Sequence, residues 1–220
     1  MKIYWQDLNS KKPDAKKVDA KQIIEALQNN EILITTTDTV PGLLANTTSH
    51  GFAALNKIKQ DRQNKPYIIL ISDAKKLDNF VDTQQFTPQI KNLIEQCWPG
   101  PLTIIFKAKK NLPSFLKSEQ DTVAIRCPNY TPLLEILKHF NGLYSTSANS
   151  SYNPAPKSIN DVDDQVTAQV KYLIDDKDIT EQATQASTII DISQAGQVKI
   201  IRQGAYTKKD LKKNLGKLLD

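Results

Sequence analysis

Hydroxyl side chains surround one carboxylate in residues 35–39, which read Thr-Thr-Thr-Asp-Thr. The apolar residues 32–34 precede this segment, and Pro41 and Gly42 follow it. Two interpretations are open. Threonine is common in β-strands, so the hydroxyl groups could simply extend a strand. Alternatively, they could bind a small polar ligand, because a turn needs polar residues but not four threonines around an aspartate.

Other polar and basic side chains also stand next to predicted strands. These groups are Lys59, Arg62 and Lys65; Thr122 and Arg126; residues 145–149; Ser187 and Thr188; and Arg202. Ligands of open sheets bind beyond the strand ends, so the groups could share one cleft. Cationic groups near hydroxyls favour a phosphate-bearing ligand alongside a small polar one. For any single residue, a capping or surface role is at least as good an explanation.

The sequence has none of the common catalytic motifs. It contains no GxxxxGK[ST] phosphate loop, no GxGxxG motif, no nucleophile-elbow serine and no histidine spacing typical of a metal site. His50 and His139 are the only histidines, and both are predicted in or next to helices, where capping and surface roles are common. Serine or cysteine nucleophilic catalysis is therefore not favoured.

The composition is that of a folded α/β domain. The 220 residues are 39% hydrophobic, with no apolar run of about 18 residues that could span a membrane and no apolar signal at the start. Cys97 and Cys127 have no metal or disulfide spacing, which predicts a reducing, cytoplasmic location. The net charge of +5 suits an anionic ligand or RNA, and equally an ordinary globular protein.

Hydrophobic periodicity predicts a series of helices and strands. The predicted helices span residues 18–28, 49–59, 87–98 and 131–140, and the predicted strands span 32–36, 67–71, 102–106, 122–126, 143–146, 171–174, 187–192 and 197–202. Several strands are consecutive, so we predict an α/β fold with a mixed open sheet and flanking helices. Residues 1–206 are predicted to form one domain despite a linker-like stretch at 154–169, and residues 207–220 a basic, helical C-terminal tail.

Seven short motifs occur in order along the chain. They are TDTVPGL at 37–43, IKQDRQNKP at 58–66, WPGPLT at 98–103, AIRCP at 124–128, STSAN at 145–149, STIID at 187–191 and IIRQGA at 200–205. With these motifs the sequence resembles the YrdC-type threonylcarbamoyl-AMP synthase family, in its short form without an extra C-terminal domain. One such motif would be weak evidence, but seven in order, spread over most of the chain, are specific.

The resemblance implies a reaction and a fold. L-threonine, bicarbonate and ATP would give threonylcarbamoyl-AMP and pyrophosphate, and downstream proteins would transfer the threonylcarbamoyl group to tRNA. Contact with tRNA or double-stranded RNA is compatible with this role. The implied fold is a twisted mixed sheet with flanking helices around a positively charged cavity. Mg²⁺ would enter with ATP, and no tightly bound, protein-ligated metal is expected.

The implied chemistry agrees with the lack of a catalytic histidine. A carbamate formed from the threonine amine is already ionised, so it can attack the α-phosphorus of ATP without a strong general base. The protein would mainly position the reactants and neutralise charge on the leaving pyrophosphate.

Motif by motif, the resemblance assigns two sets of site residues. Thr39, Arg126, Ser147 and Ser187 would bind L-threonine, with Arg126 paired to its carboxylate. Lys59, Arg62, Lys65, Thr122, Asn149, Lys157 and Arg202 would bind ATP. Lys59 and Arg62 would also be catalytic, because they would neutralise the charge that develops on pyrophosphate. Under this assignment, residues 35–39 line an amino-acid pocket.

Three positions depart from the family pattern. Arg62 stands one residue later than the arginine of the usual Lys-x-Arg motif, and Pro41 replaces an aromatic residue. Ser150 and Ser151 stand where a Ser-Gly pair is common. Two alternatives therefore stay open: an RNA-binding module on the same fold without synthase activity, and a nucleotide-binding paralogue with a regulatory role.

Overall fold

A ten-stranded mixed sheet forms the centre of the protein. The structure is a computed structural model, which describes residues 1–8, 18–60, 66–151, 153–178, 185–194 and 196–216. The strands are β1 (Lys2–Tyr4), β2 (Leu33–Thr35), β3 (Gly42–Asn46), β4 (Ile68–Leu70), β5 (Leu102–Lys107), β6 (Thr122–Arg126), β7 (Leu143–Ser147), β8 (Tyr172–Asp175), β9 (Thr188–Asp191) and β10 (Lys199–Arg202). Their order across the sheet is β1-β8-β2-β3-β7-β4-β6-β5-β9-β10.

Helices flank the sheet on both faces. Those of the described residues are α1 (Ala20–Gln28), α2 (Ser49–Lys59), α3 (Pro88–Cys97), α4 (Thr131–Leu137), α5 (Asp164–Thr167) and α6 (Lys208–Leu215). Asp19, Thr48 and Thr87 precede α1, α2 and α3, and each side chain accepts a backbone N–H of the first turn. Pro88 also favours the start of α3, since it has no N–H to leave unpaired there.

The two faces of the sheet carry different side chains, because neighbours along a strand point to opposite sides. On β6, Val123 and Ile125 enter the larger hydrophobic core, which also receives residues from α2, α3 and α6. Thr122, Ala124 and Arg126 lie on the opposite face, where α1 and α4 contribute to a smaller core. The polar residues of β6 therefore share a face with the smaller core.

The predicted mixed sheet with flanking helices is confirmed, but two strands are absent from the sequence-based prediction. β1 has three residues, too few for a periodicity signal. β3 begins at Gly42, where the Pro-Gly pair indicates a turn. Gly42 nevertheless pairs with Thr35 of β2 and Ser147 of β7. A Cβ at Gly42 would come within 3.1 Å of the Ser145 hydroxyl, so glycine allows these strands to pack closely.

The C-terminal segment contributes to the core. α6 lies in the predicted basic tail, and its Leu211 and Leu215 are buried in the larger core beside α3. The last residues of that predicted tail, 217–220, lie outside the described residues. The boundary at residue 206 stays a prediction. The linker-like stretch 154–169 holds a short 3-10 turn (Ile159–Asp161) and α5, and also packs on the larger core.

Candidate active site

Arg126 ends β6 and makes three hydrogen bonds. The residue is 5% exposed. Its Nε donates to the Gly100 carbonyl at 3.1 Å, Nη1 to the Thr39 hydroxyl at 2.8 Å, and Nη2 to the Asp38 carboxylate at 2.5 Å. A guanidinium has five N–H donors, so two remain beyond these bonds to the described residues. A carboxylate is a well-matched acceptor for a pair of guanidinium N–H groups.

The loop that carries Thr39 is held by its own hydroxyls. The Thr37 hydroxyl donates to the Val40 carbonyl at 3.0 Å and accepts the Thr39 backbone N–H at 3.1 Å. β3, β7 and β4 separate β2 from β6 in the sheet, so the loop crosses the sheet face to reach Arg126. Thr37 shapes this loop, and Thr39 presents its hydroxyl to the guanidinium.

The first two threonines of the run have structural contacts. The Thr35 hydroxyl accepts from the Trp5 indole N–H at 3.1 Å, and the Thr36 hydroxyl lies 3.4 Å from the Tyr130 hydroxyl. Thr35 is the last residue of β2. The strand interpretation therefore holds for Thr35, whereas Thr37 and Thr39 lie in a polar loop, and ligand binding by that loop stays a prediction.

Lys59 ends α2 and binds the turn after β7. The residue is 3% exposed, and its Nζ donates to the Ser147 carbonyl at 3.0 Å and to the carbonyl and side-chain oxygens of Asn149 at 2.6 and 2.9 Å. The Ser147 hydroxyl donates to the same Asn149 side-chain oxygen at 2.6 Å. An ammonium group has three N–H donors, so a direct phosphate contact by Lys59 would replace one of these bonds. Its charge would still act on a phosphate group nearby.

Ser187 and Arg202 form a third polar group with Thr103, which neighbours Arg126 on the same sheet face. The Ser187 hydroxyl lies 2.8 Å from the Thr103 hydroxyl and accepts from Arg202 Nη2 at 3.1 Å. Arg202 Nε and Nη2 also donate to the Ser187 carbonyl, at 3.1 and 2.9 Å. Ser187 is 2% exposed, and its carbonyl and hydroxyl groups both accept from Arg202, so Ser187 holds this guanidinium in place.

The guanidinium groups of Arg202 and Arg126 repel each other. Partial burial of Arg202, and then the charge of Arg126, lower the pKa of Arg202, although part of its side chain is exposed. Two cations close enough to influence each other favour an anionic ligand, because an anion relieves the repulsion.

The return of the chain after β10 requires glycine at position 204. A Cβ there would lie 2.3 Å from the Ala186 carbonyl oxygen and 2.6 Å from the Thr188 nitrogen. The Thr188 hydroxyl accepts the Gly204 N–H at 3.1 Å and the Tyr206 N–H at 2.9 Å. These contacts hold the residues after β10 against the start of β9, and Arg202 therefore stays next to Ser187.

Some of the predicted site residues form hydrogen bonds with one another, and others lie apart. Thr39 bonds to Arg126, Ser187 bonds to Arg202, and Ser147 and Asn149 bond to Lys59. The predicted threonine-binding and ATP-binding sets are thus interleaved, and their assignment to ligands stays a prediction.

Four predicted site residues lie apart from these clusters or outside the described residues. Thr122 starts β6 and lies about 13 Å along the strand from Arg126; its hydroxyl contacts that of Ser118 at 2.7 Å. Lys157 is exposed in the loop before the 3-10 turn. Arg62 and Lys65 are not among the described residues, so their contacts are not defined.

Sequence reasoning assigns no role to Asp38, Gly100 or Thr103, although each contacts a predicted site residue. All three stand inside the seven motifs, Asp38 in TDTVPGL and the other two in WPGPLT. Their partners are distant in the chain, so motif spacing carries no signal for these contacts.

The comparisons with known proteins identify the family. A family model, Sua5_yciO_yrdC, described as "Telomere recombination", matches residues 25–204. The chain belongs to this family, which confirms the resemblance stated from its motifs. Among curated relatives, the "Threonylcarbamoyl-AMP synthase" of Pseudoalteromonas translucida is 30% identical over 170 residues, covering 76% of this chain and 90% of the relative. That of Histophilus somni is 36% identical over 135 residues, covering 59% and 72%.

Solved structures share the fold. Sua5 of P. abyssi, complexed with L-threonine, aligns with a TM-score of 0.79 at 23% identity and covers 91% of this chain. This chain spans 59% of that Sua5 chain. E. coli YciO aligns with a TM-score of 0.72 at 19% identity, covering 87% of this chain and 92% of YciO. In the part of the chain that the structure describes, no helix is both long and apolar enough to cross a membrane.

Proposed function

We propose that this chain is an L-threonylcarbamoyladenylate synthase, which forms threonylcarbamoyl-AMP and pyrophosphate from L-threonine, bicarbonate and ATP. The observation that carries the proposal is the buried Arg126, which has two N–H donors beside the Thr39 hydroxyl that are not used by its bonds to the described residues. Relatives named threonylcarbamoyl-AMP synthase support a nucleotidyltransferase. The Sua5 structure that contains L-threonine supports an amino-acid substrate.

In this proposal the amino acid binds at the end of β6. Arg126 binds the threonine carboxylate through its remaining N–H donors. Thr39 provides a hydroxyl group for the side-chain oxygen or the amine of the substrate, and motif resemblance adds the hydroxyl of Ser147. Ser187 acts mainly through Arg202, because its own hydroxyl already accepts from that guanidinium.

In this proposal ATP binds near the cationic side chains other than Arg126. Arg202 and Lys59 bring positive charge to the phosphates, and Asn149 is held next to Lys59. Motif resemblance adds Arg62, Lys65, Thr122 and Lys157 to this set. Preorganised groups of this kind each contribute about 2.7–4 kcal/mol to transition-state stabilisation in other enzymes.

The chemical step needs little from the protein beyond position and charge. The threonine amine and bicarbonate form a carbamate with loss of water, and a carbamate oxygen attacks the α-phosphorus of ATP. The electron pair of the breaking P–O bond leaves with pyrophosphate. In this proposal Mg²⁺ enters with ATP and is bound mainly by its phosphates. Within the described residues no cluster of three or more His, Cys, Asp and Glu side chains is placed to hold a metal ion.

The RNA-binding alternative is not favoured by the names of the relatives. Contact with tRNA or double-stranded RNA, transfer of the product to downstream proteins, and a cytoplasmic location are parts of this proposal.

Pyrophosphate release tests the proposed function. ATP is incubated with the protein while L-threonine, bicarbonate and Mg²⁺ are omitted in turn. We expect release only in the complete mixture. Equal release without L-threonine would contradict the proposal. Tight RNA binding with a steep salt dependence, independent of threonine and without pyrophosphate release, would favour the binding module instead.

A further inference from the structure

We infer that Asp38 is a positioning residue, which orients Arg126 toward the carboxylate of the amino-acid substrate. The inference rests on the proposed function, because it requires an amino acid at Arg126. Asp38 itself has no contact with the substrate in this inference and acts only through the guanidinium.

The Asp38 carboxylate is fixed at both oxygens. One oxygen accepts from Arg126 Nη2 at 2.5 Å, and the other accepts the backbone N–H of Asn129 at 2.9 Å. The side chains of Asp38 and Arg126 are only 11% and 6% exposed. A carboxylate bound on both sides and largely removed from water keeps one orientation, and its charge-assisted bond to the guanidinium is strong.

Asp38 completes the support of the guanidinium plane. Each of the three nitrogens of Arg126 has an acceptor, namely the Gly100 carbonyl, the Thr39 hydroxyl and the Asp38 carboxylate. The directions of the two remaining N–H groups are therefore defined. A fixed planar fork matches the geometry of a carboxylate, so less conformational entropy is lost when the ligand binds.

The charge of Asp38 also limits what Arg126 can attract. Asp38 offsets much of the charge of Arg126, so the pair offers an anion two directed N–H groups with less long-range attraction than an unpaired guanidinium. A single carboxylate can use these donors fully, whereas a triphosphate gains more at Arg202, which is partly exposed and donates to the uncharged Ser187. The pair thus favours the amino acid over ATP at this position.

Amino-acid binding by calorimetry, without ATP, tests the inference. Asp38→Asn keeps the shape, but an NH2 group, which cannot accept a hydrogen bond, replaces one of the two oxygens that accept from Arg126 and Asn129. We expect its affinity for L-threonine to fall about tenfold or more, with the KM for ATP unchanged. Asp164→Asn, at an exposed position on α5, is the matched control and should bind like the wild type.

Two further measurements separate positioning from a merely structural role. L-threoninol lacks the carboxylate, so its weak affinity should be the same for the wild type and Asp38→Asn. In an Arg126→Lys background, Asp38→Asn should cause little additional loss of L-threonine affinity, because the residue through which it acts is gone. If Asp38→Asn weakens threoninol as much as threonine, or if the two losses are additive, the inference is wrong.

Asp38→Glu keeps the experiment decisive if Asp38→Asn does not fold. It retains the charge but moves the carboxylate by one methylene group, so we expect weaker L-threonine binding here as well. Wild-type affinity in Asp38→Glu would overturn the inference. The proposed function fails separately, if the wild-type protein neither binds L-threonine nor releases pyrophosphate in its presence.

Discussion

The Lys59 ammonium group donates to both the backbone carbonyl and the side-chain oxygen of Asn149, so one buried cation ties the end of α2 to the turn after β7. Lys59→Met keeps most of the side-chain length and removes the charge. The acceptors in the turn then lose their donor, and we expect the free energy of unfolding to fall by about 1–3 kcal/mol.

Pyrophosphate release should fall about 100-fold in Lys59→Met, because the same charge serves the departing pyrophosphate. Steady-state rates and denaturant unfolding measure the two effects. Lys57→Met, at an exposed position on the same helix, is the control and should change neither quantity. A Lys59→Met protein with a nearly normal rate would remove Lys59 from the proposed site.

Substrate selectivity tests the pocket around Thr39. L-valine has nearly the shape of L-threonine but cannot form hydrogen bonds with the hydroxyls of the pocket. The unpaired groups should raise the transition-state free energy, measured from kcat/KM, by about 1–3 kcal/mol. L-serine should be the better substitute. Thr39→Val should narrow the difference between threonine and valine. Equal turnover of threonine and valine by the wild type would contradict the assignment of this pocket.

Two glycine substitutions test how β10 is held. Gly204→Ala would force a Cβ against the Ala186 carbonyl oxygen, and overpacking of this kind costs about 1–3 kcal/mol. The backbone must move to relieve this clash, and we expect the movement to displace Arg202 and raise the KM for ATP. Gly196→Ala is the control, since Gly196 has a φ of +75° but open space around it. It should lose about 1 kcal/mol of stability and leave the KM for ATP unchanged. The same KM in both variants would contradict this role of Gly204.

Thiol reactivity tests the burial of the two cysteines, one of which, Cys127, directly follows Arg126. Burial, followed by the charges of Asp73 and Asp38, raises the pKa of Cys127 to about 12, and burial raises the pKa of Cys97. Both free thiols should therefore be protonated at pH 8 and react slowly with a disulfide reagent until the protein is unfolded.

The pH dependence of stability follows from the same shift. Because the pKa of the Cys127 thiol is higher in the folded protein, its contribution to stability is complete below the unfolded pKa and is lost as the pH rises toward about 12. Cys127→Ser should lose less stability than the wild type between pH 9 and pH 12. Parallel stability curves for the two proteins over this range would contradict the shift.

Local sequence was sufficient for most of the helices and strands and for several polar residues of the candidate site. Helix caps such as Thr87 with Pro88 are read from neighbours in the chain, and the apolar strands of the sheet centre have a clear periodicity. The motifs also identified Thr39, Arg126, Ser147 and Arg202 as polar residues near strand ends. Such signals are local, because capping and periodicity depend on residues a few positions apart.

Only the tertiary structure decided which of these side chains meet. Asp38 and Arg126 are 88 residues apart in sequence, and Lys59 and Asn149 are 90 residues apart. β3 was not recognised because its pairing between β2 and β7 outweighs the turn signal of Pro41 and Gly42. Hydrogen bonds between distant residues depend on strand order and loop path, and these follow from how both faces of the sheet are buried rather than from the spacing of residues along the chain.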